Sequence, residues 1–121
     1  MKQENKNLLF KDLCARLPYH VRVKVWLKDG TTEEGVLDLE HNYGDVLRDA
    51  FYYNEIIDIK PYLRSMSSMT KVEKHIYDTM TRGYTVHQQA SLFDWLNAHH
   101  FDFRNLIERG LAIDCANLNV Y

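Results

Sequence analysis

Residues His20–Leu39 read HVRVKVWLKDGTTEEGVLDL, and this stretch decides the fold class. Val21, Val23, Val25 and Leu27 alternate with Arg22, Lys24 and Trp26, the period-two pattern that sends successive side chains to opposite faces of a strand. Asp29-Gly30 follows at once, a pair that accepts the positive φ values of a tight hairpin, and the returning strand is predicted from Thr31 to about Leu39. Gly35 inside it predicts a bulge or sharp bend, as small curved sheets require.

Downstream, Asn42-Tyr43-Gly44-Asp45 reads as a second turn, followed by strands over Val46–Tyr53 and Glu55–Lys60, with Pro61 closing the sheet. Upstream, Asn7–Leu17 reads as an amphipathic helix. Leu9, Leu13 and Leu17 recur four apart with Phe10 and Cys14 alongside, and Pro18 forbids continuation. After Pro61 the helical period returns. Thr70 as N-cap and Glu73 three residues on form a capping box, Val72, Ile76 and Met80 form the expected buried stripe, and Gly83 is the expected stop. Ser91 with Asp94 predicts a second helix start, carrying Leu92, Trp95, Leu96 and His99. Asp102 predicts a third turn of helix, with Phe103, Leu106 and Ile107 inward and Gly110 at its end.

The resulting expectation is an α+β chain. It has a small curved antiparallel sheet of the SH3-like, partly open barrel kind, an N-terminal helix, and a C-terminal set of two to three short helices. One compact domain is expected over residues 1–121, divided into an N-terminal helix (1–19), the sheet (20–62) and a helical region (63–121).

Composition narrows the function classes. The chain has 121 residues, 45% hydrophobic and 26% charged, which is globular rather than disordered. A formal charge of -2 comes from 15 basic and 17 acidic residues that are close to balance in each half, so no basic lobe announces nucleic acid. Cys14 and Cys115 lack metal-ligand spacing, no secretory segment opens the chain, and no apolar run approaches the ~20 residues of a membrane span. A cytoplasmic protein with free thiols, no cofactor and no membrane contact is expected.

Several groups invite chemistry. His99-His100, with Asp94, Asp102 or His87, suggests a metal site, but neighbours on a helix point about 100° apart and no recognised zinc frame surrounds them. Histidine at a helix end caps the last carbonyls, which is the expected role of this pair. A hydrolase recruiting Ser67, Ser68 or Cys14 lacks a nucleophile elbow. Ser91–Arg109 can be read as a helix-turn-helix with Arg104, Asn105 and Arg109 facing DNA, though few bases support it. Tyr43, Phe51, Tyr52, Tyr53 and Tyr62 form an aromatic group around the later strands. Phe51-Tyr52-Tyr53 are consecutive, so an extended strand turns at least one outward unless another surface covers it. The candidate partner-binding residues are therefore Trp26, Tyr43, Tyr52, Tyr53, His99, His100 and Arg104.

The hairpin is similar to the first motif of Sm-like RNA-binding barrels in its Lys28-Asp29-Gly30 turn, Gly35 and the run to Asn42. The second motif of that family is absent between Asp45 and Lys60, and a generic SH3-like hairpin accounts for the likeness. Three longer blocks, LLFKDLCARLPY (Leu8–Tyr19), IKPYLRSMSSMT (Ile59–Thr70) and DWLNAHHFDFRNLIERGLA (Asp94–Ala112), resemble a group of small proteins encoded by Bacteroides-type gut bacteria, their phages and integrated elements. That group has no established activity, so the resemblance implies genomic context: an accessory factor of a phage or mobile element. The expected function is non-enzymatic, through a protein partner or self-association. The alternatives are nucleic-acid binding on the face around Arg22, Lys24 and Trp26, and a small hydrolase or metal-dependent enzyme.

Overall fold

The computed structural model describes residues 2–37, 56–82 and 86–121, with residues 86–89 described in their backbone only. The expected strand over Val46–Tyr53, its flanking turn, the end of the second strand and the Gly83 stop lie outside the described residues, as do Tyr43, Phe51, Tyr52 and Tyr53.

Over the described residues the chain is α+β, with an N-terminal helix and a small open mixed sheet of five strands. Helix α1 (Gln3–Arg16) passes into a 3₁₀ turn (Leu17–Tyr19) containing Pro18, and His20 at φ 56° releases the chain into β1. Proline is tolerated there because its missing N–H falls in the first turn of the 3₁₀ segment. Strand β1 (Val21–Leu27) pairs antiparallel with β2 (Thr32–Leu37) and with β3 (Ile56–Ser65). Val21, Val23 and Val25 are buried, joining Leu9, Leu13, Leu17, Leu37, Ile59, Leu63 and Leu106 in one core. The turn closes through Leu27 N–H donating to Thr31 O at 2.9 Å, with Gly30 at φ +88°.

Two expectations about the sheet are corrected. Gly35 makes no bulge: it pairs in register with Val23, and the irregularity falls instead between Trp26 and Leu27 opposite β3. Pro61 does not close the sheet either. It sits opposite Val23, and β3 continues beyond it, where Tyr62 and Leu63 pair parallel with β5 (Ile113–Asp114) and Arg64 and Ser65 pair parallel with β4 (Phe101–Asp102). The sheet is therefore mixed rather than antiparallel. Proline's missing N–H falls where β3 changes partners, so little pairing is lost. Those partners arrive from far along the chain and leave no local periodic signal.

A 3₁₀ turn (Met66–Ser68) leads to α2 (Lys71–Thr81), whose capping box is present as expected: Glu73 N–H donates to Thr70 Oγ1 at 3.1 Å, and Thr70 N–H to Glu73 Oε1 at 2.9 Å. Its expected buried stripe is not buried. No residue of α2 is fully covered, Val72 is 70% and Ile76 36% exposed, and Met80 is half-buried. Glu73 and Tyr77 are half-covered along with Met80. Glu73 is drawn to Arg64 of β3 by two hydrogen bonds of 2.7 and 2.8 Å, and this ion pair outweighs the apolar stripe in setting which side of the helix docks.

Helix α3 (Val86–Ala98) starts five residues before Ser91, which therefore lies inside it and not at its N-terminal start. The expected third helix is absent. After β4 the chain runs through turns, with Asn105 at φ 60° breaking any helical path. Asp102 keeps its capping chemistry there, its two carboxylate oxygens accepting from Leu106 N–H and Ile107 N–H, both at 2.9 Å. Leu106 is buried as expected, and Gly110 takes the left-handed conformation at φ 74°. Without a second helix the helix-turn-helix reading of Ser91–Arg109 falls.

Candidate functional site

The residues singled out near the C-terminus separate into structural roles. His99 lies just past α3, its Nδ1 3.0 Å from Trp95 O and its ring against Trp95, so it closes the helix end. His100 takes φ 63° and stacks on Tyr121, ring centroids 3.6 Å apart and nearly coplanar. Burial, with Arg16, His99 and Arg64 nearby, pushes His100 down to about 4, so it is neutral near pH 7. The Tyr121 hydroxyl accepts from Arg22 N–H and donates to Tyr62 O, both at 2.8 Å. It thereby bridges β1 and β3 just where their direct pairing ends.

Arg104 belongs to an ion network that sequence reading missed. Asp12 and Arg16 of α1 are both fully buried: Arg16 Nε donates to Asp12 Oδ2 at 2.8 Å, Arg104 Nη1 to Asp12 Oδ1 at 2.6 Å, and Arg16 Nη2 to Phe101 O at 2.7 Å. The Arg104 and Arg16 guanidinium groups lie 4.3 and 5.6 Å from the Phe103 ring centroid, and Arg64 lies 4.2 Å from that of Phe101. The signal was available in the sequence, since Asp12 and Arg16 share the helix face of Leu9 and Leu13 at i, i+4 spacing. A charged pair on an apolar face must be matched by a partner elsewhere in the fold. These arginines are held by Asp12 and Glu73, so the cluster is a buried strut joining α1, β4 and the following turn.

The metal and hydrolase readings gain nothing from the geometry. Among the described residues no three of His, Cys, Asp and Glu come together as a metal would require. Asp94 accepts a hydrogen bond from Tyr19, and Asp102 is occupied by backbone N–H groups. Ser67 and Ser68 serve the 3₁₀ turn, Ser68 Oγ donating to Ser65 O at 2.6 Å. Cys14 and Cys115 are free thiols, each pushed up by burial and so kept protonated.

Two surfaces remain after this sorting. The first is the apolar face of α2, Val72 and Ile76, on a helix fastened to the sheet by Arg64–Glu73. The second surrounds Trp26 on the outward face of β1. Lys24 and Lys60 hold their ammonium groups 5.4 and 5.5 Å from its ring centroid, beside a groove of about 370 Å³ lined by Trp26, Leu27, Gly30, Thr31, Ile57, Asp58 and Lys60. Tyr62, a member of the aromatic group, is buried and not part of an open patch. Its hydroxyl donates to Glu34, and burial with that carboxylate pushes it up to about 12.

Compared with known proteins, the chain matches no family model, no curated protein and no solved structure. Among the described residues no helix is long and apolar enough to cross a membrane.

Proposed function

We propose that this chain is a non-enzymatic accessory protein of a phage or mobile element that acts by binding a protein partner through the outward face of α2. The observation that carries the reading is the exposure of Val72 and Ile76 at i, i+4 spacing on a capped helix. Covering what remains exposed of these two side chains, 70% of Val72 and 36% of Ile76, contributes about 1 kcal/mol each, a gain a partner groove collects. Half-buried Met80 extends the stripe and adapts its shape to the partner. The resemblance of the three blocks supplies the phage or mobile-element setting, and the free, protonated thiols suit a reducing cytoplasm. We assign the sheet to the SH3-like, partly open class on its β1–β2 hairpin and the pairing of β1 with β3.

The test is a paired capture from host lysate and a sedimentation series of the purified chain, each with wild type and V72D/I76D. The expected result is a partner, or a concentration-dependent dimer, seen with wild type and absent with the variant, while thermal stability is unchanged. Equal capture and equal sedimentation by both proteins would remove α2 as the binding face.

A further inference from the structure

We propose that the outward face of β1 and β3 around Trp26 binds single-stranded nucleic acid, a base stacking on the indole and the phosphates meeting Lys24, Lys60 and Arg22. This face is distinct from that of α2, so the inference stands independently of the protein-binding reading.

The argument begins with a pairing that fold stability disfavours. Lys24 and Lys60 are directly opposite each other across the antiparallel ladder, where like charges repel. Lys24 also faces Glu34 of β2, but the Glu34 carboxylate accepts from Tyr62. The other nearby acid, Asp58, turns one oxygen to Ile59 N–H at 2.9 Å, and its second stands 4.0 Å from the Lys60 ammonium. Among the described residues, that long Lys60–Asp58 contact is the one ion pair either lysine makes. Arg22, exposed two residues before Lys24, extends the row on the same face. An anion is the complement of this row.

The groove supplies the second half of the recognition. The irregularity at Trp26/Leu27 puts the indole next to a break in the β1–β3 ladder, and such breaks are common beside binding sites. Ile57 lies 65% exposed along the same groove, and over Gly30 a Cβ would meet nothing within 4 Å. The space therefore admits a flat ring against apolar surface. An exposed cation–π contact is worth about 0.5–1 kcal/mol, and stacking a base on an aromatic about 1–3 kcal/mol. A base accordingly displaces an ammonium from the indole, and the displaced ammonium is released next to the phosphate. An open sheet face with stacking aromatics suits a single strand, whose bases are free, and not a duplex. The net charge of -2 provides no long-range steering, so affinity falls in the range of non-specific binding, about 10⁻⁴–10⁻⁶ M.

The test uses W95F, in which Trp26 is the sole tryptophan of the chain, titrated with unlabelled oligodeoxythymidine at several salt concentrations. The expected result is saturable quenching of Trp26, with log K falling against log salt at a slope of about -2, from three phosphate contacts at about 0.7 each. K24Q/K60Q in this background is expected to bind about tenfold or more weakly, with the slope reduced to about -0.7. W26A, followed by anisotropy of a labelled oligonucleotide, keeps the slope and loses about tenfold in affinity, separating stacking from charge. The inference is overturned by no quenching at low salt, by K24Q/K60Q binding like its parent, or by inorganic phosphate or duplex DNA binding as tightly as the single strand.

Discussion

Asp12→Ala is predicted to be among the most damaging single substitutions in this chain, although it removes only one small side chain. Asp12 and Arg16 are fully buried, and each Asp12 oxygen serves a different arginine. Removing the carboxylate leaves Arg16 charged in the core with the Phe101 carbonyl as its remaining hydrogen-bond acceptor among the described residues, while its Nη1 already lacks a partner there. Breaking a buried pair in this way costs about 3–5 kcal/mol. Domains of this size are stable by about 5–15 kcal/mol, so a large share of the total is lost. Arg104→Ala is expected to cost less, about 1.5–3 kcal/mol, because Asp12 keeps Arg16 and the lost bond is one charge-assisted hydrogen bond. Asp12→Ala/Arg16→Met should recover most of the loss, since replacing the whole pair by apolar groups is often neutral. Urea unfolding midpoints at neutral pH measure all three. An Asp12→Ala cost below about 1 kcal/mol, or a double variant no more stable than Asp12→Ala, would refute the account of the strut.

Tyr121→Phe removes the hydroxyl that bridges Arg22 N–H and Tyr62 O, and is expected to cost about 1–3 kcal/mol in urea unfolding, with faster amide exchange at Arg22. Gly35→Ala should stabilise by about 0.4–1 kcal/mol, because the position is in regular register with open space over it; a clear loss of stability would instead restore a bent strand at this point. Acid stability should fall in two stages. His100 is depressed to about 4 from about 6.5, so the folded state binds fewer protons than the unfolded chain. Its contribution is full above pH 6.5 and is lost as pH falls through 4. Glu73, held at about 2 chiefly by its hydrogen bonds from Arg64, contributes above pH 4.5 and loses its part as pH falls through 2. That part is about 1–2 kcal/mol after solvent screening. Unfolding midpoints of His100→Asn against pH should lose the first stage and keep the second; an unchanged profile would exclude His100 as its source.

The sequence was legible wherever a residue's role depends on its near neighbours. The alternation at Val21–Leu27, the Asp29-Gly30 turn, the leucines of α1 and the Thr70–Glu73 box are all local patterns, and each is present in the structure. Ser91 misled because its capping grammar is equally available inside a longer helix. Asp102 misled only in part: its oxygens do take two N–H groups, but of a turn and not of a helix. The Val72, Ile76 and Met80 stripe shows the limit most plainly, since helical spacing says that three apolar residues share a side and nothing about whether that side is covered.

For the candidate surfaces the same division holds. That Trp26 shares a face with Arg22 and Lys24 follows from strand periodicity alone. That Lys60 also comes to 5.5 Å from its ring, and that Ile57 and Asp58 line the groove beside it, depend on the register of β1 against β3. Arg104 was marked by its sequence surroundings, yet its partner stands 92 residues away. Sequence by itself determined the elements and their local ends, because backbone propensity and side-chain period act over a few residues. Tertiary structure decided which charges were neutralised and which apolar faces were left open, because those depend on contacts between segments that the chain brings together only when folded.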